Sequence, residues 1–380
     1  MAPTRSGSLR SICATWSVAL GLILAGLAAA QQSAAAPPAP QAGFSGAVEV
    51  TEGLADVLVT DRDGNVILGL RPSDFVVRAG GRTLPVTGAT FYSNRRLLDS
   101  ARGATELGLE TGAVPDQRLF VLLFDDQSSR AVESPSLMAR QLRAGRDAVA
   151  WVDRKLEPGD LVAVVDFDIR LELQQDFTAD RAALKDAIGR AAAGKAPPTD
   201  WPSRGERSAD LPALAARLPK GAELRDATPT IEKALTTLAN AAAPIVGRKN
   251  LVMFTTGFGR LDASGTYAVE RRLYEPMMQA LNAADVAVYV ADLTPLGTEH
   301  ALDSSLSRLA EDTGGRPFFD QPDFRQPLAL VSDTTNGYYL VSFRAEHPKG
   351  SSGYEPIEIS VKNPEFRVTA RRGYRYGNQG

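Results

Sequence analysis

The spacing of apolar positions along the 380-residue chain changes style three times. Val48-Glu49-Val50 and residues 55–60 and 66–70 alternate or run β-branched. Asp61-Arg62-Asp63-Gly64-Asn65 separates the last two, which predicts a hairpin. Residues 75–78, 84–86 and 90–92 add short strands around Gly80-Gly81 and Gly88, so residues 44–96 read as a small antiparallel β module. Residues 97–115 are polar and Gly-rich, and read as a linker.

The style then changes. Residues 119–124 (LFVLLF) are an unbroken apolar run ending in Asp125-Asp126, as a strand buried on both faces would be. A helical period over 137–156 stops at Pro158-Gly159, residues 161–167 repeat the buried-strand pattern, and 171–173 pair back on it. Helix 180–193 follows, then an insertion over 194–222 with Pro197-Pro198, Trp201-Pro202 and Pro212, carrying at most one short helix. Helix 230–241, strand 250–255, helix 267–284, strand 286–291, helix 302–313 and strand 316–319 complete the alternation. Such alternation predicts an α/β fold over 116–334, a doubly wound, mostly parallel sheet with helices on both faces. Period two returns over 337–343, 357–361 and 366–371. Either β half alone would leave open edges, so residues 335–376 are expected to pair with 44–96 into one antiparallel module in which the α/β part is inserted.

The first 30 residues carry Arg5 and Arg10 before an uncharged apolar run over 11–27, closed by Ala28-Ala29-Ala30. This is the layout of a secretory signal peptide. Residues 31–43 (QQSAAAPPAPQAG) read as a tether. The single cysteine, Cys13, lies inside the signal. The expectation is therefore an exported bacterial protein, periplasmic, cell-surface or secreted, without thiol chemistry and without membrane insertion after cleavage.

The formal charge is −3, or −5 without Arg5 and Arg10, and it is evenly spread, which argues against nucleic acid as a partner. The two histidines, His300 and His347, lie near loop signals and read as solvated. They are too few for a zinc cluster, and no G-x-S-x-G elbow exists. Gly189 to Lys195 has P-loop spacing, but Ala196 replaces the metal-binding hydroxyl and the segment ends a helix. Gly257-Phe258-Gly259 lacks the third glycine of a dinucleotide loop, Asp262 standing there. Asp61-x-Asp63-x-Asn65 opens like a calcium loop but has Val66 at the required glycine. Asp166 and Asp168 flank Phe167 at a strand end as a possible carboxylate pair, with turn or cap roles as the plainer reading. Tyr338, Tyr339, Tyr374 and Tyr376 have strand spacing and read as sandwich packing.

Ligands of open α/β sheets bind at the carboxyl ends of the strands. Three oxygen-rich stretches fall there: Asp125-Asp126-Gln127-Ser128-Ser129, Asp226-Ala227-Thr228-Pro229-Thr230, and Thr255-Thr256-Gly257. Their order and spacing resemble the von Willebrand factor A (VWA) domain. Further likeness lies in Phe177-Thr178-Ala179-Asp180 and in the stretch from Ala310 to Arg316. The flanking segments, Val59 to Gly64 and Gly337 to Leu340 with Arg371-Arg372-Gly373-Tyr374, look like the VWFA-related exported proteins common in acidobacteria. The resemblance covers the mature chain except the insertion. It implies a metal-ion-dependent adhesion site with Asp125, Ser129 and Thr228 or Thr230 as ligands. Gln127 stands at the middle serine of that motif and Thr256 at the family's later aspartate, so the site is degenerate. A divalent cation such as Mg²⁺ would be held weakly, because carboxylates supply most of the affinity. The expected function is protein–protein or adhesion-type binding to an unidentified protein ligand, without enzyme activity. Trp201 is a candidate anchor in the insertion. The alternatives are a structural envelope component acting through the β module, or a hydrolase or nucleotide-binding enzyme on the same sheet.

Overall fold

A computed structural model describes residues 48–377, apart from 63, 94–95, 98–116, 126–134, 199–210, 262–266, 269, 299–301 and 336. The expected signal (1–30) and tether (31–43), nearly all of the linker, Ser129, Trp201 and His300 lie outside the described residues. Among the described residues no helix is long and apolar enough to cross a membrane.

The amino-terminal strands are β1 (Val48–Thr60), β2 (Phe75–Ala79), β3 (Arg82–Leu84), β4 (Val86–Ser93) and β5 (Arg96–Leu97). The α/β part runs β6 (Leu119–Asp125), α1 (Pro135–Arg154), β7 (Leu161–Phe167), β8 (Leu171–Thr178), α2 (Arg181–Ala192), α3 (Ala222–Ala227) and α4 (Ile231–Ala242). It continues with β9 (Lys249–Thr255), the small pair β10 (Arg260–Leu261) and β11 (Tyr267–Ala268), α5 (Arg271–Ala283), β12 (Val286–Asp292), α6 (Asp303–Asp312), β13 (Pro317–Phe318) and α7 (Arg325–Thr334). Strands β14 (Gly337–Pro348), β15 (Gly353–Val361), β16 (Arg367–Ala370) and β17 (Gly373–Tyr376) close the chain.

The six-stranded sheet has the order β13-β12-β9-β6-β7-β8, parallel except for edge strand β8, which pairs back on β7. Period two divides its side chains between two layers. Leu119, Val121 and Leu123 of β6 pack with α4, α5 and α6, while Phe120, Leu122 and Phe124 pack with α1, α2 and α7. This is why the central strands carry near-continuous apolar runs, Leu119 to Phe124, Leu161 to Val165 and Leu251 to Phe254. Helix α4 buries Ile231, Ala234, Leu235, Leu238 and Ala239, the i, i+3, i+4 stripe of a surface helix, and Thr230 caps it.

The antiparallel strands form two sheets, β16-β1-β14-β4-β5 and β17-β15-β2-β3. Each mixes strands from both ends of the chain: β1 pairs with β14 from Val48 opposite Pro348 to Val57 opposite Tyr339, and β2 pairs with β15. The two sheets share one core, with Val57, Val59, Val77, Tyr339, Phe343 and Ile357 buried. The expected fold class is the one observed, an α/β sheet between the halves of an antiparallel β module.

Three local expectations are corrected, and two elements were not expected. Residues 66–70 are not a strand; only Val66 bridges Thr60. The Tyr339 hydroxyl, arriving from β14, takes the Leu70 N–H and donates to the Ile67 carbonyl, both at 3.0 Å, so these backbone groups have no ladder partner to seek. Helix α5 starts at Arg271 rather than at 267, because Tyr267 and Ala268 pair with β10. His347 is not a solvated loop residue: it lies in β14, 7% exposed, its Nε2 2.9 Å from the Tyr374 hydroxyl and its ring stacked on Tyr376. Helix α7 and strand β17 have no counterpart in the sequence pattern. Pro327 masks α7 as a breaker, but it sits in the first turn, where proline costs no hydrogen bond.

The sandwich sits at the amino ends of the parallel strands. Arg371, between β16 and β17, donates to the Asn282 carbonyl at 3.1 Å and lies 3.6 Å from Asp285, just before β12. Arg372 meets Asp312 at 2.8 Å, and Asn282 Nδ2 donates to the Tyr354 hydroxyl at 3.1 Å. The carboxyl ends of the strands lie on the opposite side of the sheet from these contacts.

Candidate functional site at the carboxyl ends of the strands

Asp125, Thr255 and Asp292 end β6, β9 and β12, in adjacent register. By period two they share the face that Leu123, Met253 and Val290 present to α4, α5 and α6, whereas Asp166 falls on the other face with Val162 and Val164. Asp125 is half-buried, and its Oδ2 accepts a hydrogen bond from Thr255 Oγ1 at 2.5 Å. Thr255 Oγ1 in turn accepts the Gly257 N–H at 2.9 Å. The chain turns sharply there, with Gly257 at φ +101°, a conformation that favours glycine. Below this point Phe124 and Phe254 stack across the two strands at 4.7 Å, which gives the strand ends a rigid floor.

The two candidate loop threonines are engaged in the scaffold. Thr228 is fully buried; its hydroxyl donates to the Leu224 carbonyl at 2.7 Å and accepts the Leu171 N–H at 3.1 Å. Asp125 stands opposite Phe167, and Phe167 opposite Leu171. The backbone that Thr228 holds is therefore two strand spacings, about 10 Å, from Asp125. Thr230 is the N-cap of α4, accepting the Lys233 N–H at 3.4 Å.

Two residues matter here that motif reading passed over. The family pattern directs attention to Thr256, yet Thr255, the last residue of β9, carries the hydroxyl bonded to Asp125. Its signal in the sequence is its place at the end of an apolar run, on the inward parity of the strand. Arg140 of α1 reaches over the end of β12 and donates to the carbonyls of Leu293 at 3.0 Å, Asp292 at 3.1 Å and Gln321 at 3.0 Å. Its guanidinium lies 5.1 Å over the Phe324 ring. Burial lowers the Arg140 pKa, against the pull of Asp292. Its partners lie 152, 153 and 181 positions away and leave no trace in local sequence. The Asp292 carboxylate is buried and accepts the Thr294 N–H at 2.9 Å.

The donors described here do not fit a tight Mg²⁺ site. No group of three or more carboxylate, histidine or cysteine side chains suited to a metal occurs among the described residues. The one carboxylate in line accepts from Thr255, and both loop threonines serve the backbone. Six oxygen ligands at octahedral angles would need the first two to break bonds they already make. What the arrangement offers instead is a fixed anionic strand end. Ile169, after β7, is 71% exposed and Leu296, after β12, is 52% exposed, so this end of the sheet also presents apolar side chains.

No protein-family model matches the chain, and no curated protein matches it in sequence. Solved structures that align with it include a von Willebrand factor type A protein from Catenulispora acidiphila, at 12% identity over 80% of this chain and 73% of that one, with a TM-score of 0.39. A mutant of the PilB minor pilin from Streptococcus sanguinis aligns at 11% identity over 58% of this chain and 61% of that one, TM-score 0.37. BatB from Bacteroides thetaiotaomicron, a conserved hypothetical protein, aligns at 15% identity over 57% of this chain and 98% of that one, TM-score 0.32. The chain thus spans less than two thirds of the pilin. The fold itself is VWA-like in its own sheet order: doubly wound, parallel, with one antiparallel edge strand.

Proposed function

We propose that this is an exported VWA-like protein that binds a protein ligand at the carboxyl ends of its parallel strands, and that it is not an enzyme. The observation that carries the reading is Asp125 itself, a carboxylate fixed by Thr255 at a strand end, on the end of the sheet where Ile169 and Leu296 are exposed. Exposed apolar groups at the same end as a fixed charge favour a macromolecular partner. Of the residues expected to hold a cation, Asp125 keeps its place at the strand end while Thr228 and Thr230 serve the backbone, so a divalent ion there binds weakly at most. Among the described residues His347 is the only histidine, and it belongs to the sandwich core, which favours binding over acid–base chemistry.

Thermal unfolding in EDTA and then in Mg²⁺ or Mn²⁺ tests the metal half of the proposal. A cation at 100 times its dissociation constant adds about 2.7 kcal/mol. The expected result is no rise at millimolar Mg²⁺; a rise that Asp125→Ala abolishes would replace the weak site with a working one. Cross-linking in cells compares the wild type with Asp125→Ala and Ile169→Asp. A protein partner lost from both variants supports the proposal, and equal recovery from all three overturns it.

A further inference from the structure

Strand β8 is the antiparallel edge of the six-stranded sheet, so one row of its backbone groups has no neighbouring strand. The Leu171 N–H points away from β7, since it donates to the Thr228 hydroxyl at 3.1 Å. Bonded and unbonded pairs alternate along an antiparallel ladder. The N–H and C=O of Leu173 therefore point outward as well, while Glu172 faces Asp166 of β7. Farther along, the outer row is taken up. Arg190 donates to the Gln174 carbonyl at 3.3 Å, and Gln174 Nε2 donates to the Lys195 carbonyl at 2.7 Å. The buried Asp176 carboxylate accepts the N–H groups of Leu214 at 2.9 Å and Ala215 at 3.0 Å. Among the described residues nothing meets the outward groups of Leu173, which is nearly fully buried. Unmet backbone groups in such a place are costly.

At this point a cleft of about 320 Å³ opens between the start of β8, Ala196-Pro197 and the first turn of α3. Leu171, Leu173 and Leu224 give it apolar walls, and its rim is charged. Arg170 is already held by Glu172, Nη2 to Oε1 at 2.6 Å. Arg225 is exposed and, among the described residues, its side chain makes no ion pair or hydrogen bond. The cleft lies at the same end of the sheet as Asp125, because β8 starts where β7 ends, but two strand spacings to the side.

We infer that this cleft takes an extended acidic segment of a partner protein, whose backbone continues the sheet past β8 at Leu173 and whose carboxylate side chain binds Arg225. Three observations select that occupant. A donor and an acceptor on one edge residue, both turned outward, match the acceptor and donor of a single residue in an added strand. A guanidinium without a counter-charge at the rim selects a carboxylate, which it can bind through two parallel hydrogen bonds. The leucine walls take the apolar side chains that alternate with the acidic ones. This site is separate from the strand-end site at Asp125 and stands whether or not that one binds.

Fluorescence anisotropy of the full chain with a labelled, acetylated peptide of alternating valine and glutamate tests it, beside the valine–lysine counterpart. The glutamate peptide should bind saturably, about tenfold or more tighter than the lysine one, and more weakly as salt rises. Two variants at exposed positions separate charge from shape. Arg225→Glu should cost about tenfold or more, and Ala222→Trp, which fills the cleft and leaves its charge, should abolish binding. Bound peptide should slow hydrogen exchange at Leu173 and leave Val341 in the sandwich unchanged. Asp125→Ala should bind as the wild type does. No binding, equal binding of the two peptides, or binding that survives Arg225→Glu or Ala222→Trp overturns the inference. Loss in Asp125→Ala would move the segment to the strand ends and would equally overturn the cleft.

Discussion

Arg118 and Asp160 form a two-pronged buried ion pair, Nε to Oδ1 at 2.8 Å and Nη2 to Oδ2 at 2.5 Å. A third donor, Nη1, reaches the Ser332 carbonyl at 2.9 Å, so the pair ties the start of β6 to the turn before β7 and to α7. Arg118 is 8% exposed and Asp160 4%, so neither charge has water to fall back on. Asp160→Ala should cost about 3–5 kcal/mol in denaturant unfolding, because it leaves a buried guanidinium uncompensated. A loss under about 1 kcal/mol, the range of exposed pairs, would contradict the burial.

Tyr339 holds residues 67–70 against the sandwich through two hydrogen bonds of its hydroxyl, while its ring packs edge-on to Phe91 at 5.0 Å. Tyr339→Phe keeps the ring and strands an N–H and a carbonyl. We expect a loss of about 1–3 kcal/mol. Exchange protection should fall at Leu70 and remain at Val341; uniform loss across the sandwich would mean that the ring, not the hydroxyl, is what matters.

Gly315 lies where a side chain cannot. A Cβ there would stand 1.9 Å from the Val288 carbonyl oxygen, so the turn from α6 into β13 must approach β12 as bare backbone. Gly315→Ala should destabilise by about 3 kcal/mol or more, beyond ordinary overpacking, since the obstacle is main chain and cannot rotate away. Gly189→Ala, in the interior of α2 with open space around its Cβ position, is the control and should stabilise by about 0.5–1 kcal/mol.

Lys249 gives the fold a pH dependence of its own. Burial pushes its ammonium down to about 8 from 10.5, despite Asp285 and Asp56. Between those values the folded protein binds fewer protons than the unfolded chain, so stability rises with pH through the window, and the gain is absent below about 8. Lys249→Met should abolish that rise. Urea midpoints measured across the window decide it; an unchanged slope in the variant would assign the dependence to another group.

Fold class was legible in the sequence because burial on both faces writes itself into consecutive residues. Residues 119–124 are apolar at every position and 161–167 at every position but Asp166, and those two runs suffice to announce a covered parallel sheet. The return of period two after residue 337 likewise announced that the chain goes back to an antiparallel module. Candidate Asp125 could be found for the same local reason, as the first carboxylate after a buried strand.

Which groups meet was decided only by tertiary structure. Thr255 rather than Thr256 reaches Asp125 because strand parity and register, not motif spacing, aim the hydroxyl. His347 looked like a loop residue and is a core one, since Tyr374 and Tyr376 come to it from β17. The hairpin expected over 66–70 fails because a tyrosine some 270 positions away satisfies its backbone first. Asp56 reads in sequence as an ordinary outward residue of an alternating strand; it becomes a buried acid only because the inserted α/β part covers that face. Local period reports how one element divides oil from water, and it carries no record of which other element will supply the oil, the charge or the hydrogen bond.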